Sequence, residues 1–283
     1  MPERSDIVYV YDGSFEGLLC CIFDSYEHNE LPFEICLEDA GQETLYPVHY
    51  VYTDTAKANR VKAGIKKKAS YDVYKTAELG YYSCHPRKEL LISDFVRLGM
   101  KHGRKTLSML ADDTVSELLG AVKGLTRESH QLKGFVRFSI YSGVMTAVIE
   151  PKNFVLPLLQ DHFCDRYASD TFIIYDKIHE YALLYARNRS AITPVYNYKP
   201  PDADGEELLF RSLWKLFYDT IAVEERINPR CRMSHMQKRY WRHLTEMDEQ
   251  NEPLNLRGKK RDGHDTPFLG QDRPELSETE VSP

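Results

Sequence analysis

The amino-acid sequence predicts an α+β fold: an N-terminal α/β unit, then helices and antiparallel hairpins that are closed by C-terminal helices. Three observations predict it. Strand-like and helix-like segments alternate near the N-terminus, a long stretch from Thr114 repeats apolar residues at helical spacing, and four β-prone runs behind it come in pairs around short turns. An apolar content of 42% in 283 residues is typical of a soluble globular protein and excludes a fibre or a largely disordered chain.

The N-terminal unit is predicted to run strand, helix, strand, helix. Residues 7–11 are β-prone, and Ser14 follows a turn at a position where it can cap a helix with an apolar side. Residues 48–52 predict the second strand, and residues 55–68 a lysine-rich helix with few large apolar residues. We expect that second helix to be half exposed.

The middle of the chain is predicted to be helical and then β-stranded. Thr114 and Glu117 form a capping-box pattern at the start of a helix that reaches Gly134. We expect DHFCDRY to form no more than a turn or two of helix. Two shorter helices are predicted before the capping box, at 71–79 and 87–101. Two antiparallel hairpins are predicted after the long helix, at 135–150 and 171–186.

The C-terminal part is predicted to begin with a helix at Gly205 that Pro229 ends or interrupts. Residues 248–283 have few apolar anchors and many charges, prolines and glycines, so we expect a disordered tail. The expected organisation is therefore an N-terminal part over 1–105, a second part over 106–247 that forms one compact unit with it, and the tail.

Composition narrows the function classes. The apolar run at the start is too short for a signal peptide, and no run approaches the roughly 18 residues of a membrane span. The six cysteines form no CxxC pair, which favours a cytoplasmic protein with reduced thiols that holds no iron–sulfur cluster itself. Neither a dinucleotide-binding nor a phosphate-binding glycine fingerprint is complete. We expect no metal site and no cofactor bound by this chain.

A basic and aromatic segment stands out in an acidic chain. Residues 224–243 contain six arginines and lysines against two acids, a local charge of +4 in a chain whose net charge is −6. An acidic protein binds nucleic acid only through such a local patch. If the segment is a helix from Cys231, then Arg232, His235, Arg239 and Arg242 share one face, with Met233, Met236, Tyr240 and Leu244 on another.

Two interpretations of this segment stay open from the residues alone. Arginine suits phosphate because its planar fork donates two hydrogen bonds, and Tyr240 or Trp241 can stack on an unpaired base. Alternatively, the two aromatic residues are core and the arginines form a solvated face. The predicted nucleic-acid contacts in this segment are Arg230, Arg232, His235, Lys238, Arg239, Tyr240, Trp241 and Arg242.

Two further sets of residues are candidates for a site. Arg127, His130 and Lys133, with Arg137 nearby, form a second cationic patch near the end of the long helix. The lysine-dense helix at 55–68 is a weaker candidate because no aromatic residues accompany its charges in the sequence. For both, the alternative is an ordinary charged surface.

One cluster contains residue types suited to catalysis. Asp161, His162, Asp165 and Arg166 lie within six residues, and a carboxylate with an imidazole can pass a proton while an arginine holds a phosphate. No partner motif elsewhere completes a site. The alternative interpretation is a set of salt bridges and caps around a short helix.

The motifs VYDGSFEGLLCCIFDSY, RESHQLKGFVRF, DHFCDRY and NPRCRMSHMQKRYWRHL together resemble the "probable DNA metabolism protein" family, over about residues 5–247. Gln237 stands where that family has a proline. The matching positions are Asp12, Gly13, Phe15, Glu16, Gly17, His130, Lys133, Phe135, Phe138, His162, Phe163, Arg166, Lys238, Arg239 and Trp241. Bacterial members are encoded beside a radical-SAM DNA modification or repair protein, and elsewhere a similar domain is joined to a uracil-DNA glycosylase-like domain.

The resemblance implies a role in DNA metabolism and supplies no catalytic residue. We therefore expect an accessory protein that binds single-stranded or damaged DNA, works with a radical-SAM or glycosylase-type partner, and binds no membrane. A radical-SAM partner would carry the iron–sulfur cluster and SAM. The alternatives are a DNA-acting enzyme that uses Asp161, His162, Asp165 and Arg166, and a protein-interaction scaffold whose basic segment meets an acidic partner.

Overall fold

Two β-sheets and eight α-helices organise the part of the chain that the computed structural model describes, residues 4–38, 45–201, 205–221 and 228–247. One sheet is parallel and the other mixed, with helices around both. The predicted α+β class is confirmed. The tail predicted over 248–283 lies outside the described residues.

The N-terminal unit is a three-stranded parallel sheet with the order β2-β1-β3. Ser14 caps the first helix as predicted, because its side chain accepts a hydrogen bond from the Gly17 N–H at 2.9 Å. The sequence prediction missed β2, which pairs with β1 on the side opposite β3. The elements of this unit are β1 (Ser5–Tyr11), α1 (Phe15–Glu27), β2 (Pro32–Leu37) and β3 (Val48–Tyr50).

Four helices follow the parallel sheet, close to their predicted positions. The capping box at Thr114 and Glu117 is wrong in detail: Asp112 is the N-cap residue, and its carboxylate accepts from the Val115 N–H at 3.3 Å. Glu117 instead lies 2.9 Å from His85 Nε2. The helices are α2 (Thr55–Lys68), α3 (Tyr71–Tyr81), α4 (Lys88–His102) and α5 (Asp113–Phe135), with a 3₁₀ helix at Gly103–Ser108 before α5.

The two predicted hairpins are confirmed, and they join into one five-stranded sheet with the order β4-β5-β6-β7-β8. Ser142 and Gly143 both have positive φ, 50° and 80°, as a tight two-residue hairpin turn requires. The two hairpins meet through parallel pairing of β5 with β6. The strands are β4 (Ser139–Tyr141), β5 (Val144–Ile149), β6 (Phe172–Asp176), β7 (Tyr181–Ala186) and β8 (Arg189–Pro194).

Two predictions for this region need correction. The segment DHFCDRY belongs to an 11-residue helix, α6 (Leu156–Arg166), that begins five residues earlier than expected and crosses from β5 to β6. A parallel pair needs such a crossover, so the expected turn or two was too little. The edge strand β8 was not predicted, because its sequence has few large apolar residues.

The C-terminal helices are α7 (Gly205–Ile221) and α8 (Pro229–His235), followed by 3₁₀ helices at Lys238–His243 and Thr245–Met247. Pro229 is the first residue of α8, and the described part of α7 ends at Ile221. Asn228 caps α8, because its side chain accepts from the Cys231 N–H at 3.0 Å.

The long helix α5 contributes to both hydrophobic cores. Val115 and Leu118 pack with the parallel sheet and α1 to α4, whereas Leu125 and Leu132 pack with the mixed sheet and α6. The end of α5 and the following Arg137 therefore lie beside the mixed sheet, where the candidate site residues also lie. Within the described ranges, no helix is both long enough and apolar enough to cross a membrane.

Candidate nucleic-acid interface

The basic C-terminal segment is not one continuous helix. The backbone of Met236 is extended (φ −125°, ψ 95°), and so is that of Gln237 (φ −63°, ψ 141°), which ends α8 before the 3₁₀ helix begins. Arg232 and His235 therefore lie on a different element from Arg239 and Arg242. The prediction that these four share one helical face is wrong.

Tyr240 and Arg239 are used to hold this segment against α5. Tyr240 is 4% exposed and packs in the second core, with its ring 5.6 Å from that of Phe135. Its hydroxyl donates to Glu128 Oε1 at 3.2 Å, and Arg239 Nη2 lies 2.8 Å from the same oxygen. Burial and then the Glu128 carboxylate raise the pKa of Tyr240 to about 12. Both residues were predicted to contact nucleic acid; in the structure Tyr240 is buried in the second core and Arg239 pairs with a buried carboxylate.

The end of the segment pairs with the mixed sheet. The Arg242 guanidinium, whose side chain is 71% exposed, lies 3.3 Å from Glu150, and His243 Nε2 lies 3.4 Å from it. Burial alone would raise the pKa of Glu150, but Lys177, His243 and Arg242 together lower it. Trp241 is half-buried and its indole N–H donates to the Met236 carbonyl at 3.1 Å.

The other cations of the segment are more open. Arg230, His235 and Lys238 are exposed, and none of them forms an ion pair in the part of the chain that the structure describes. Arg232 is half-buried, with Nη1 3.8 Å from Met247 Sδ. The exposed cations remain available to an anion.

The second predicted patch lies near the end of α5. Arg127 and His130 are exposed, and Lys133, one turn further on, is half-buried. Arg137 is held in place, because Nη1 donates to the Gly134 carbonyl at 2.9 Å and Nη2 pairs with Glu246 at 2.9 Å. Lys133 forms no ion pair within the described residues.

The predicted catalytic cluster does not form a network. Asp161, Asp165 and Arg166 are exposed on α6, and no hydrogen bond or ion pair joins any two of the four side chains where the chain is described. Burial, then the charges of Lys133 and Arg166, lower the pKa of His162. Across the described ranges, no group of three His, Cys, Asp or Glu residues is arranged to hold a metal ion.

An open cavity of about 530 Å³ lies where α5, α6, α7 and the mixed sheet meet. We call it the aromatic cavity. It brings Lys133 and Arg166, from two separate candidate sets, into one lining with Arg137 and Arg211. The aromatic residues of the lining are Phe138, Phe163, Tyr167, Phe210 and Trp214.

The floor and wall of the aromatic cavity are fixed by different contacts. The Phe138 ring lies 5.7 Å from that of Phe163 and 5.3 Å from that of Tyr167, both edge to face. On the wall, the Trp214 indole N–H donates to Glu246 Oε2 at 3.1 Å, so the carboxylate that holds Arg137 also holds Trp214.

A smaller cavity of about 200 Å³ adjoins the first and shares Arg137, Arg211 and Thr245 with it. We call it the arginine cavity, because Arg242 and His243 also line it. Arg211 is oriented by Glu207 at 2.8 Å and by the Ser139 hydroxyl at 2.7 Å. Together the two cavities make a groove, with Lys133 and Arg166 in one lining and Arg242 in the other.

Sequence reasoning missed Phe210, Arg211, Trp214 and Glu246 as parts of this site. Phe210 and Trp214 recur at helical spacing, a pattern that predicts a helix but does not by itself indicate a binding site. The sequence feature that could have indicated the site is the number of large apolar residues in α7, which is more than one buried helix face needs. Phe210 is 65% exposed and Trp214 is 43% exposed.

The lysine-rich helix α2 has aromatic neighbours that its sequence does not show. Lys66 Nζ lies 4.3 Å from the ring centre of Tyr74, and Lys62 Nζ lies 5.4 Å from it. Lys57 is neutralised by Asp24 at 2.8 Å. No aromatic residues accompany these lysines in the sequence of α2, but the fold places the ring of Tyr74, from α3, beside them.

A family profile described as a domain of unknown function, DUF4130, matches residues 86–246, more than half of the chain. The match spans α5, the mixed sheet and both cavities. No curated protein and no solved structure matches the chain.

Proposed function

The chain belongs to the DUF4130 family of domains, and we propose that it is a DNA-metabolism accessory protein that binds nucleic acid along the aromatic and arginine cavities. The ligand in this proposal is single-stranded or damaged DNA. The exposed cations Arg127, Arg230 and Lys238, with the exposed His130, extend the contact beyond the groove.

One observation carries the proposal. Lys133 and Arg166 line the aromatic cavity together, and neither has a carboxylate partner in the described residues. Arg137 and Arg211, by contrast, are paired with Glu246 and Glu207. An unpaired cation meets a phosphate without first giving up an internal partner, so Lys133 and Arg166 are the residues best suited to neutralise a DNA backbone.

The partner in the proposal is a radical-SAM or glycosylase-type DNA enzyme, as the family resemblance implies. The chain contributes DNA binding in the cytoplasm, and the partner brings the chemistry, with an iron–sulfur cluster and SAM in the radical-SAM case. Asp161, His162 and Asp165 line neither cavity, and no hydrogen bond joins any two of their side chains in the described residues. That arrangement favours an accessory role over proton transfer.

The test is a salt titration of oligonucleotide binding by the purified chain, with and without its partner. If Lys133 and Arg166 each neutralise one phosphate, a Lys133→Gln/Arg166→Gln variant should flatten the log–log slope by roughly 1.4 to 1.8, since each contact contributes about 0.7 to 0.9. Affinity at low salt should fall at the same time.

A matched control removes the same charge elsewhere. Lys101 and Lys105 are exposed, on α4 and on the 3₁₀ helix that follows it, and line neither cavity. A Lys101→Gln/Lys105→Gln variant should keep the wild-type slope. Equal flattening in both variants would indicate attraction by net charge alone, and no DNA binding even with the partner would contradict the proposal.

A second candidate function, a protein-interaction scaffold, is favoured by the outer face of α7. Leu209, Leu213 and Phe217 recur four residues apart on this helix and are 49%, 43% and 53% exposed. Exposed apolar side chains in a row are typical of protein contact surfaces. Binding of an acidic partner protein, with no binding of DNA, would favour this function.

A further inference from the structure

We infer that the aromatic cavity accepts one unstacked base of the bound DNA strand, stacked against Phe210 and Trp214. This inference rests on the proposed function and adds the kind of DNA that the site selects: strands with a base free to leave the stack. It assigns a role to two aromatic side chains that neither core contains.

The size and chemistry of the cavity fit a base. A volume of about 530 Å³ lies within the roughly 300 to 1,000 Å³ of pockets that hold small organic ligands. Every base has a π-face, so aromatic rings bind bases without regard to sequence. Its five aromatic residues give the cavity both a floor and a wall for such stacking.

The site is prepared for a flat ligand before the ligand arrives. The floor is a cluster of packed rings in which Phe163 is only 2% exposed. The wall is held by the bond from Trp214 to Glu246, and Phe210, on the same helix, leaves 65% of its surface in water. The rings of the floor and the Trp214 indole are therefore held before binding, and Phe210 is the stacking residue left to be ordered, which lowers the entropy cost of binding.

The charges around the cavity distinguish a nucleotide from an uncharged ligand. Lys133 and Arg166, without carboxylate partners in the described ranges, lie in the lining where the phosphates flanking an inserted base would pass. The arginine cavity continues the groove with Arg242, whose side chain is 71% exposed although it lies 3.3 Å from Glu150. A strand that places one base in the aromatic cavity therefore meets Lys133 and Arg166 at that cavity and the exposed Arg242 further along the groove.

Insertion requires the base to leave its stack, so the chain should prefer DNA in which one base unstacks easily. Extrusion costs least for a base that is unpaired, mismatched or in a single strand. The chain should therefore bind a duplex with one bulged base at least roughly 5-fold more tightly than the fully paired duplex of similar length and charge, because extrusion from a paired duplex costs a few kcal/mol.

The test compares two variants of α7. Phe210 lines the aromatic cavity, whereas Leu209, 49% exposed on the same helix, does not. Both side chains are exposed, so neither truncation should unfold the chain, and melting curves check this. Phe210→Ala should lose the preference for the bulged duplex with an unchanged salt slope, Leu209→Ala should keep the preference, and Phe210→Tyr should restore it.

A second readout reports the cavity directly. The chain has two tryptophans, so a Trp241→Phe background leaves Trp214 as the single indole reporter. A bulged duplex should change the Trp214 fluorescence, and a fully paired duplex at the same saturation should change it less.

Three results would overturn the inference. These are equal affinity for bulged and paired duplexes, the same loss in Phe210→Ala and Leu209→Ala, and no Trp214 response on saturation with the bulged duplex. Equal but salt-sensitive binding would leave the proposed function standing while this inference fails. No binding of any oligonucleotide would contradict both, and binding of an acidic peptide in place of DNA would assign the cavity to a protein partner.

Discussion

Arg239 and Glu128 form an ion pair at 2.8 Å that ties the basic C-terminal segment to α5. The Glu128 side chain is 2% exposed, and it also accepts hydrogen bonds from the Asn153 backbone N–H at 2.9 Å and from the Tyr240 hydroxyl at 3.2 Å. Arg239, which the sequence predicted to contact DNA, thus neutralises a buried carboxylate inside the protein.

Arg239→Ala is expected to reduce stability with little effect on the salt dependence of DNA binding. It leaves a buried charge short of one partner, which costs about 1 to 3 kcal/mol. Arg242→Ala is the matched control, because its exposed pair with Glu150 contributes about 0 to 1 kcal/mol. Urea unfolding measures the stability loss of each variant, and a larger loss in Arg242→Ala than in Arg239→Ala would contradict the structural role of Arg239.

Glu246→Gln should destabilise the chain by about 1 to 3 kcal/mol at neutral pH, because Arg137 and Trp214 both donate to this carboxylate. Burial alone would raise the pKa of Glu246, but its hydrogen bonds and the Arg137 charge lower it below the usual 4.5. A lowered carboxyl pKa stabilises the fold above the unfolded value and loses that contribution as pH falls through the folded value.

The difference between wild type and Glu246→Gln should therefore shrink as pH falls below about 4.5. Unfolding free energies measured between pH 7 and pH 3 check this, with Glu27→Gln on the surface as control. A difference that stays constant with pH would show that the charge of Glu246 is not what matters.

His243 should make stability depend on pH in the neutral range. Burial, assisted by the charges of Arg242 and Lys177, lowers the pKa of His243 below its usual 6.5 although Glu150 opposes the shift. As pH falls through about 6.5, the unfolded chain takes up a proton that the folded chain does not, so stability falls, by at most about 1.4 kcal/mol per pH unit.

A His243→Gln variant should lose that part of the pH dependence between pH 7.5 and 5.5. The exposed His235→Gln is the control and should behave as wild type. If His243→Gln loses stability on acidification as steeply as wild type does, another group titrates in this range.

Trp241 variants separate its hydrogen bond from its ring. Trp241→Phe loses the bond to the Met236 carbonyl, at a cost of about 0.5 to 1.5 kcal/mol of stability, but keeps an aromatic face. Trp241→Ala should in addition weaken single-stranded DNA binding by roughly 1 to 3 kcal/mol with an unchanged salt slope. Equal DNA affinities for the two variants would exclude stacking by Trp241.

Asp165→Ala tests the enzyme alternative. Asp165 is exposed and has no ion pair in the described residues, so its replacement should change stability by no more than about 0.5 kcal/mol. We expect no chemical defect. Loss of a nucleolytic or base-removing activity at an unchanged melting temperature would support catalysis by the cluster on α6.

Local patterns were enough for most of the elements. α2 begins and ends where its sequence predicts, and the turn at Ser142 and Gly143 sets the first hairpin. The edge strands β2 and β8 were missed for different reasons. β8 has few large apolar residues, whereas β2 is mostly apolar but contains a proline and a glutamate, two residue types that are depleted in strands. The length of α6 was underestimated because the demand for a crossover comes from the pairing of β5 with β6.

The sequence by itself determined the α+β class, the long helix α5, the two hairpins and the sites at which positive charge is concentrated. These depend on the spacing of apolar residues, turn chemistry and composition, all of which are local. Only the tertiary structure decided which cations stay unpaired. Glu128 lies 112 positions from Tyr240 in the sequence, yet it accepts the Tyr240 hydrogen bond and pairs with Arg239, whereas Lys133 and Arg166 meet at one cavity without a carboxylate partner in the described chain. Charge can be counted from the sequence, but its neutralisation depends on distances that only folding sets.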